Sequence, residues 1–159
     1  MSAESFDLTT PHGRCAFYKR VCQLPAEVEP ETLGRIVVRA GSIVWGVSAP
    51  EPLGHAVADR LRSGGHSLGP IIVHPYSRTW TFLVRPDLPD DPRTFAGLFR
   101  DRVKVFRDGA SIALPSPADS ANRYRVWLEA PQDAYRPSGR VVVDAVRACL
   151  LARAVRTAR

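Results

Sequence analysis

Fourteen prolines are scattered along this chain of 159 residues, and they divide it into short stretches. Proline removes a backbone donor and fixes φ, so it ends helices and stays out of central strands. A chain punctuated in this way builds brief elements joined by turns. No internal repeat or low-complexity linker offers another plan. The length suits one domain, 1–159, able to bury roughly two-thirds of its unfolded surface without disulfides or metals.

Thr10 followed by Pro11 is an N-cap and first-turn pair. Beyond it Phe17, Val21 and Leu24 recur at helical spacing, with Cys15, Tyr18 and Cys22 alongside. Residues 1–9 read as a flexible N-terminus, and the acidic stretch from Pro25 to Thr32 as a loop. Arg35 to Arg39 and Ile43 to Val47 are β-rich runs separated by Ala40, Gly41 and Ser42, a hairpin signature. Ser48 to Pro52 then begins a helix with Leu53, Val57 and Leu61 on one face, stopped by Ser63, Gly64 and Gly65.

Pro70 to His74 and Arg78 to Arg85 form a second strand pair around the turn Pro75 to Arg78. In the later strand Trp80, Phe82 and Val84 share one face and Thr79, Thr81 and Leu83 the other. Asp91 and Pro92 open a third helix with Phe95, Leu98 and Phe99 as its buried stripe. Strands resume at Val103 to Phe106, Ser111 to Leu114 and Arg123 to Glu129. The dipeptide Asp108-Gly109 makes a tight turn between the first two, and Pro115 to Asn122 is a loop between the last two. Ser138 caps the C-terminal helix, 138–159, whose inner face carries Val142, Val146, Cys149 and Leu150. The order α-ββ-α-ββ-α-βββ-α predicts an α+β fold: a mixed, mostly antiparallel sheet built from β-hairpins, with helices packed on it.

Hydrophobic residues make up 45% and charged residues 24%, which is globular rather than disordered composition. No apolar run approaches the roughly 18 residues that span a bilayer, and the first residues lack the pattern of a signal peptide. The reading is a cytoplasmic protein without membrane contact. Cys15, Cys22 and Cys149 fit that compartment as buried thiols. On one helix Cys15 and Cys22 stand about 10 Å apart, too far for a disulfide or for sharing one zinc ion.

The net charge of +6 leaves room for a nucleic-acid or acidic partner. Of the 22 basic residues only Lys19 and Lys104 are lysine; such arginine bias is a mark of a GC-rich genome. The charges interleave with Asp and Glu, except in the tail Arg147, Arg153, Arg156 and Arg159.

Catalytic motifs are missing. His12, His55, His66 and His74 are far apart and sit in no recognisable motif. Gly64 and Gly65 lead into His66 rather than a phosphate-binding lysine. No Cys-x-x-Cys, no His-Glu-x-x-His and no Asp-x-Asp within a β-run occurs, so no catalytic site is legible, an enzyme with an unrecognised site ranks last among the readings, and no cofactor is implied. One constellation does stand out. Arg78 and Trp80 on one strand, with Ser116 in the loop before Arg123, Tyr124, Arg125 and Trp127, combine arginines with aromatic rings that can stack bases and hold phosphates. The same aromatics also read as ordinary sheet residues with arginine as strand-edge charge.

The segment from Ser111 to Leu128, Ser-Ile-Ala-Leu-Pro-Ser-Pro-Ala-Asp-Ser-Ala-Asn-Arg-Tyr-Arg-Val-Trp-Leu, resembles the late motif of bacterial primase-polymerase domains of the archaeo-eukaryotic primase superfamily. There a strand leads to a Pro-Pro-Ser loop and a Gly-x-x-Tyr-x-Trp strand. Pro75-Tyr-Ser-Arg-Thr-Trp-Thr-Phe82 is similar to the family's Pro-Ser-Gly-Gly-x-His-x-x-Phe strand. Ile43-Val-Trp-Gly-Val-Ser48 falls where the family carries Val-x-Asp-x-Asp. On this alignment Gly46 and Ser48 replace both metal-binding aspartates and Thr79 replaces the histidine. The resemblance therefore implies a non-catalytic relative, with a groove for nucleotide or single-stranded nucleic acid lined by Arg78, Trp80, Ser116, Arg123 and Tyr124. The alternative expectation is a protein-interaction or regulatory module with no nucleic-acid contact. The resemblance also requires residues 43–48, 78–85 and 123–129 to be strands of one sheet.

Overall fold

The computed structural model describes residues 3–159. In chain order the elements are α1 (Pro11–Arg20), β1 (Ala26–Val28), β2 (Ile36–Arg39), β3 (Trp45–Pro50), α2 (Glu51–Ser63), β4 (Ile71–His74), β5 (Thr79–Val84), α3 (Pro92–Arg100), β6 (Lys104–Phe106), β7 (Ser111–Leu114), β8 (Val126–Glu129) and α4 (Gly139–Thr157), with one 3-10 turn at Pro117–Asp119. Three helices start where their caps predict. The Thr10 hydroxyl accepts the Gly13 N–H at 3.1 Å, Asp91 accepts the Arg93 N–H at 3.0 Å, and Ser138 accepts the Val141 N–H at 3.4 Å.

The fold is α+β, with two antiparallel sheets. One has the order β1-β2-β7, the other β6-β3-β5-β4-β8. The larger sheet holds the three segments that the resemblance requires together, as β3, β5 and β8. The stretch β3-α2-β4-β5-α3-β6, with spatial order β6-β3-β5-β4, has the β-α-β-β-α-β connectivity of ferredoxin-like sheets. The strand β8 extends that sheet beside β4.

Both faces of this sheet are buried, which explains why Trp80 to Val84 of β5 are all buried, Thr81 included. Val47, Trp80, Phe82 and Val84 pack against Leu53, Val57, Leu61, Val142 and Val146 of the helices. On the opposite face Ile72 and Leu83 join Ile36, Val38, Ile112 and Leu114 of the smaller sheet and Tyr18 of α1. The molecule is thus three layers: helices, five strands, then three strands with α1.

Several expectations need correction. The β4–β5 hairpin forms, but two other predicted hairpins do not. β2 and β3 lie in different sheets, as do β6 and β7. Asp108 and Gly109 do make a tight turn, at φ 52° and 85°. Each corner is stitched to the other instead of closing its own ladder: the Ala40 N–H donates to Ala110 O at 2.8 Å, and the Gly109 N–H donates to Ala40 O at 2.7 Å. The expected loop from Pro25 to Thr32 contains β1, an edge strand whose Ala26 is buried. Phe99, read as buried, is 71% exposed because only Leu98 of α3 reaches the core fully. β8 begins at Val126, three residues later than predicted, because Arg123 has φ 52° and breaks extended backbone. Within the first nine residues, Phe6 meets Phe17 edge-on and Glu4 pairs with Arg20; residues 1 and 2 of that segment lie outside the described residues.

Candidate nucleic-acid interface

Strand pairing decides which side chains share a face, because partners directly opposite in a ladder point the same way. Gly46 lies opposite Leu83, Ser48 opposite Thr81, and Pro50 opposite Thr79. Gly46, Ser48 and Thr79 therefore share the face turned toward the smaller sheet. The positions that the resemblance equates with two aspartates and a histidine are neighbours, but their side chains hold no metal. They offer no carboxylate and no imidazole. A Cβ at Gly46 would sit 3.0 Å from Ile112 Cδ1 and 3.3 Å from Thr81 Cγ2, so the smaller sheet occupies the room an aspartate would need. Among the described residues no group of three or more His, Cys, Asp or Glu side chains is placed to hold a metal ion.

Along the same face runs a half-buried polar strip that motif reading missed. His74 Nε2 lies 3.0 Å from Thr81 Oγ1. Burial lowers the His74 pKa, Arg125 adds to that, and Asp119 opposes it, so the surroundings favour the neutral imidazole. Asp119 accepts from Arg125 at 2.9 Å and, through its other oxygen, from the Ser116 N–H at 3.0 Å. Ser116, a predicted site residue, is itself buried; its hydroxyl accepts the Ala118 N–H at 3.1 Å and caps the 3-10 turn. The available signal was the row of threonines on an otherwise apolar strand, ending opposite a histidine.

Beyond the strip, where the β4–β5 turn meets the approach to β8, the surface changes character. Tyr76 and Tyr124 lie with ring centroids 5.1 Å apart, at 73% and 51% exposure. Tyr124 was predicted; Tyr76 was read only as a turn residue. Arg78 and Arg123, two positions after Tyr76 and one before Tyr124, are exposed and hold φ of 53° and 52°. Neither is within ion-pair distance of a carboxylate among the described residues, whereas Arg125 beside them is paired.

Trp80 does not join this surface. It is 4% exposed, with its ring against Gly54 and 4.3 Å from the His55 ring on α2. Trp127 also turns inward, donating to the Tyr18 hydroxyl at 2.9 Å, while that hydroxyl donates to Pro115 O at 2.6 Å. Burial pushes the Tyr18 pKa up to about 12. The clasp ties α1, the loop after β7 and β8 together, fixing the strand that Tyr124 precedes.

Comparison with protein-family models, with curated proteins and with solved structures gives no match. Among the described residues no helix is long and apolar enough to cross a membrane.

Proposed function

We propose that this chain is a non-catalytic domain that binds single-stranded nucleic acid at the end of its larger sheet. The observation that carries the reading is the exposed Tyr76–Tyr124 pair beside two arginines without carboxylate partners. Two adjacent rings can take successive bases, and unpaired guanidinium groups suit phosphates. Both arginines sit in left-handed backbone, which costs roughly 1–2 kcal/mol at a residue with a Cβ. Such outliers persist where the surroundings over-determine them, often at ligand sites.

The location follows from the fold. RNA-recognition domains bind on the open face of a four-stranded sheet. Here the face opposite the helices is covered by β1, β2, β7 and α1, leaving the strand ends and their turns. The lost aspartates and histidine at Gly46, Ser48 and Thr79 support a domain that holds a strand without joining nucleotides. On this reading the chain is a degenerate relative of primase-polymerase domains.

Fluorescence anisotropy with a labelled single-stranded oligonucleotide, and its duplex as control, tests the proposal. Tyr76→Ala and Tyr124→Ala are each expected to weaken single-strand binding by about 1–3 kcal/mol. Equal affinity for duplex, or no effect of either substitution, would count against it.

A further inference from the structure

A groove of about 830 Å³ lies between α3 and the outer half of α4, and neither tyrosine of the exposed pair lines it. Its rim carries Arg93, Arg100, Arg102, Arg147 and Arg153, against Asp101 as the single acid in the lining. None of the five is within ion-pair distance of a carboxylate among the described residues, although Arg20, Arg35, Arg39, Arg62, Arg107 and Arg125 elsewhere are. Arg147 reaches across to α3, donating to Thr94 Oγ1 at 3.0 Å. Arg102 follows the C-terminus of α3 at φ 64°, a position where glycine is favoured.

The floor is aliphatic: Leu98 from α3, then Leu150, Leu151 and Ala154 from α4. Every residue from Leu151 to Arg159 is exposed, so the last turns of α4 extend past the layers that bury its first half. Leu151 is 69% exposed, and Val155 one turn on is 59% exposed. A helix end with an apolar stripe gains little from protruding into water.

We propose that this groove docks an acidic, amphipathic helix of a partner protein. The aliphatic floor takes the partner's apolar stripe, and the arginine rim takes its carboxylates. From Arg147 to Thr157 the groove wall runs about 15 Å, some three helical turns, which spans anchors at i, i+4 and i+7. A second copy of this chain fits poorly, because two-fold pairing would set arginine rim against arginine rim. Nucleic acid fits poorly too: no aromatic ring lines the groove, and a phosphate backbone leaves the leucines uncovered.

The test uses a fluorescein-labelled peptide of about 18 residues, Leu and Ala on one face of a helix and Glu on the other, roughly five turns long. A peptide of the same composition with its leucines scattered around the helix and a single-stranded oligonucleotide are compared with it. The amphipathic peptide is expected to bind at least about tenfold tighter than the scattered one, a difference of roughly 1.4 kcal/mol. Leu151→Ser and, separately, an Arg100→Glu, Arg153→Glu double variant are each expected to weaken it by about tenfold or more. These positions are exposed, so an unchanged circular-dichroism spectrum is expected; Ala154→Ser replaces Leu151→Ser should that variant misfold. Equal binding of the two peptides, or none, overturns the proposal. So does oligonucleotide binding lost in the arginine variant but kept in Leu151→Ser, which would mark a general polyanion surface.

Discussion

At Gly54 an added Cβ would lie 2.9 Å from the six-membered half of the Trp80 indole, and that spacing fixes what Trp80 does. The ring is a wedge between β5 and α2. Alanine normally stabilises a helix interior over glycine by about 1 kcal/mol, but overpacking a filled core costs roughly 1–3 kcal/mol. Gly54→Ala is therefore expected to lower the urea midpoint of unfolding. At Gly97 in α3 an added Cβ meets nothing within 4 Å, so Gly97→Ala should raise the midpoint instead. A stabilised Gly54→Ala would show that Trp80 has room to move and that its placement in the core is wrong. Nothing in the sequence distinguishes Trp80 from Tyr76 as the stacking residue. Its alternation placed Trp80 with Phe82 and Val84, the correct face, yet only the assembled layers reveal that both faces of β5 are closed. The exposure of Tyr124, Arg78 and Arg123 was legible because a turn-rich segment before a strand exposes what it carries.

Among the elements, helix starts marked by a capping side chain were legible, whereas the uncapped start of α2 (Ser48 to Pro50, read as its first turn, end β3), the short strand β1 and the long-range pairing were not. Thr10-Pro11, Asp91-Pro92 and Ser138 start helices where their hydroxyl or carboxylate caps dictate, because capping is settled within one turn. Asp108-Gly109 forms its turn for the same local reason. Which ladder the flanking strands join depends instead on hydrogen bonds between Ala40 and Gly109–Ala110, nearly 70 residues apart in sequence. The Tyr18 clasp is equally non-local. Its hydroxyl serves Pro115 O and Trp127 Nε1 at once, so Tyr18→Phe leaves a buried acceptor and a half-buried donor without that partner. An unsatisfied buried group costs about 1–3 kcal/mol. The expected result is a loss of stability in that range by urea denaturation, at unchanged secondary structure. A loss under about 0.5 kcal/mol would mean that water replaces the hydroxyl and that the clasp does not hold β8.

For the molecule as a whole, two surfaces are available once three layers have closed: strand ends on one side, the α3–α4 groove on another. The positions Gly46, Ser48 and Thr79 share one face of the larger sheet, with Ile112 of the smaller sheet against Gly46. Purified protein given primer, template, nucleotides and Mg²⁺ or Mn²⁺ is accordingly expected to show no extension, since Gly46, Ser48 and Thr79 offer no carboxylate to hold the ion. Extension abolished by substitution on that face would contradict the non-catalytic reading. The most direct test of the central claim is the salt dependence of single-strand binding. Counterion release predicts a log–log slope of roughly −0.7 per phosphate contacted. An Arg78→Ala, Arg123→Ala variant should shallow that slope by about one unit or more, while Arg156→Ala, Arg159→Ala in the tail should leave it unchanged. An equal loss from the tail variant, or no retention of single-stranded DNA or RNA even at low salt, would contradict the account.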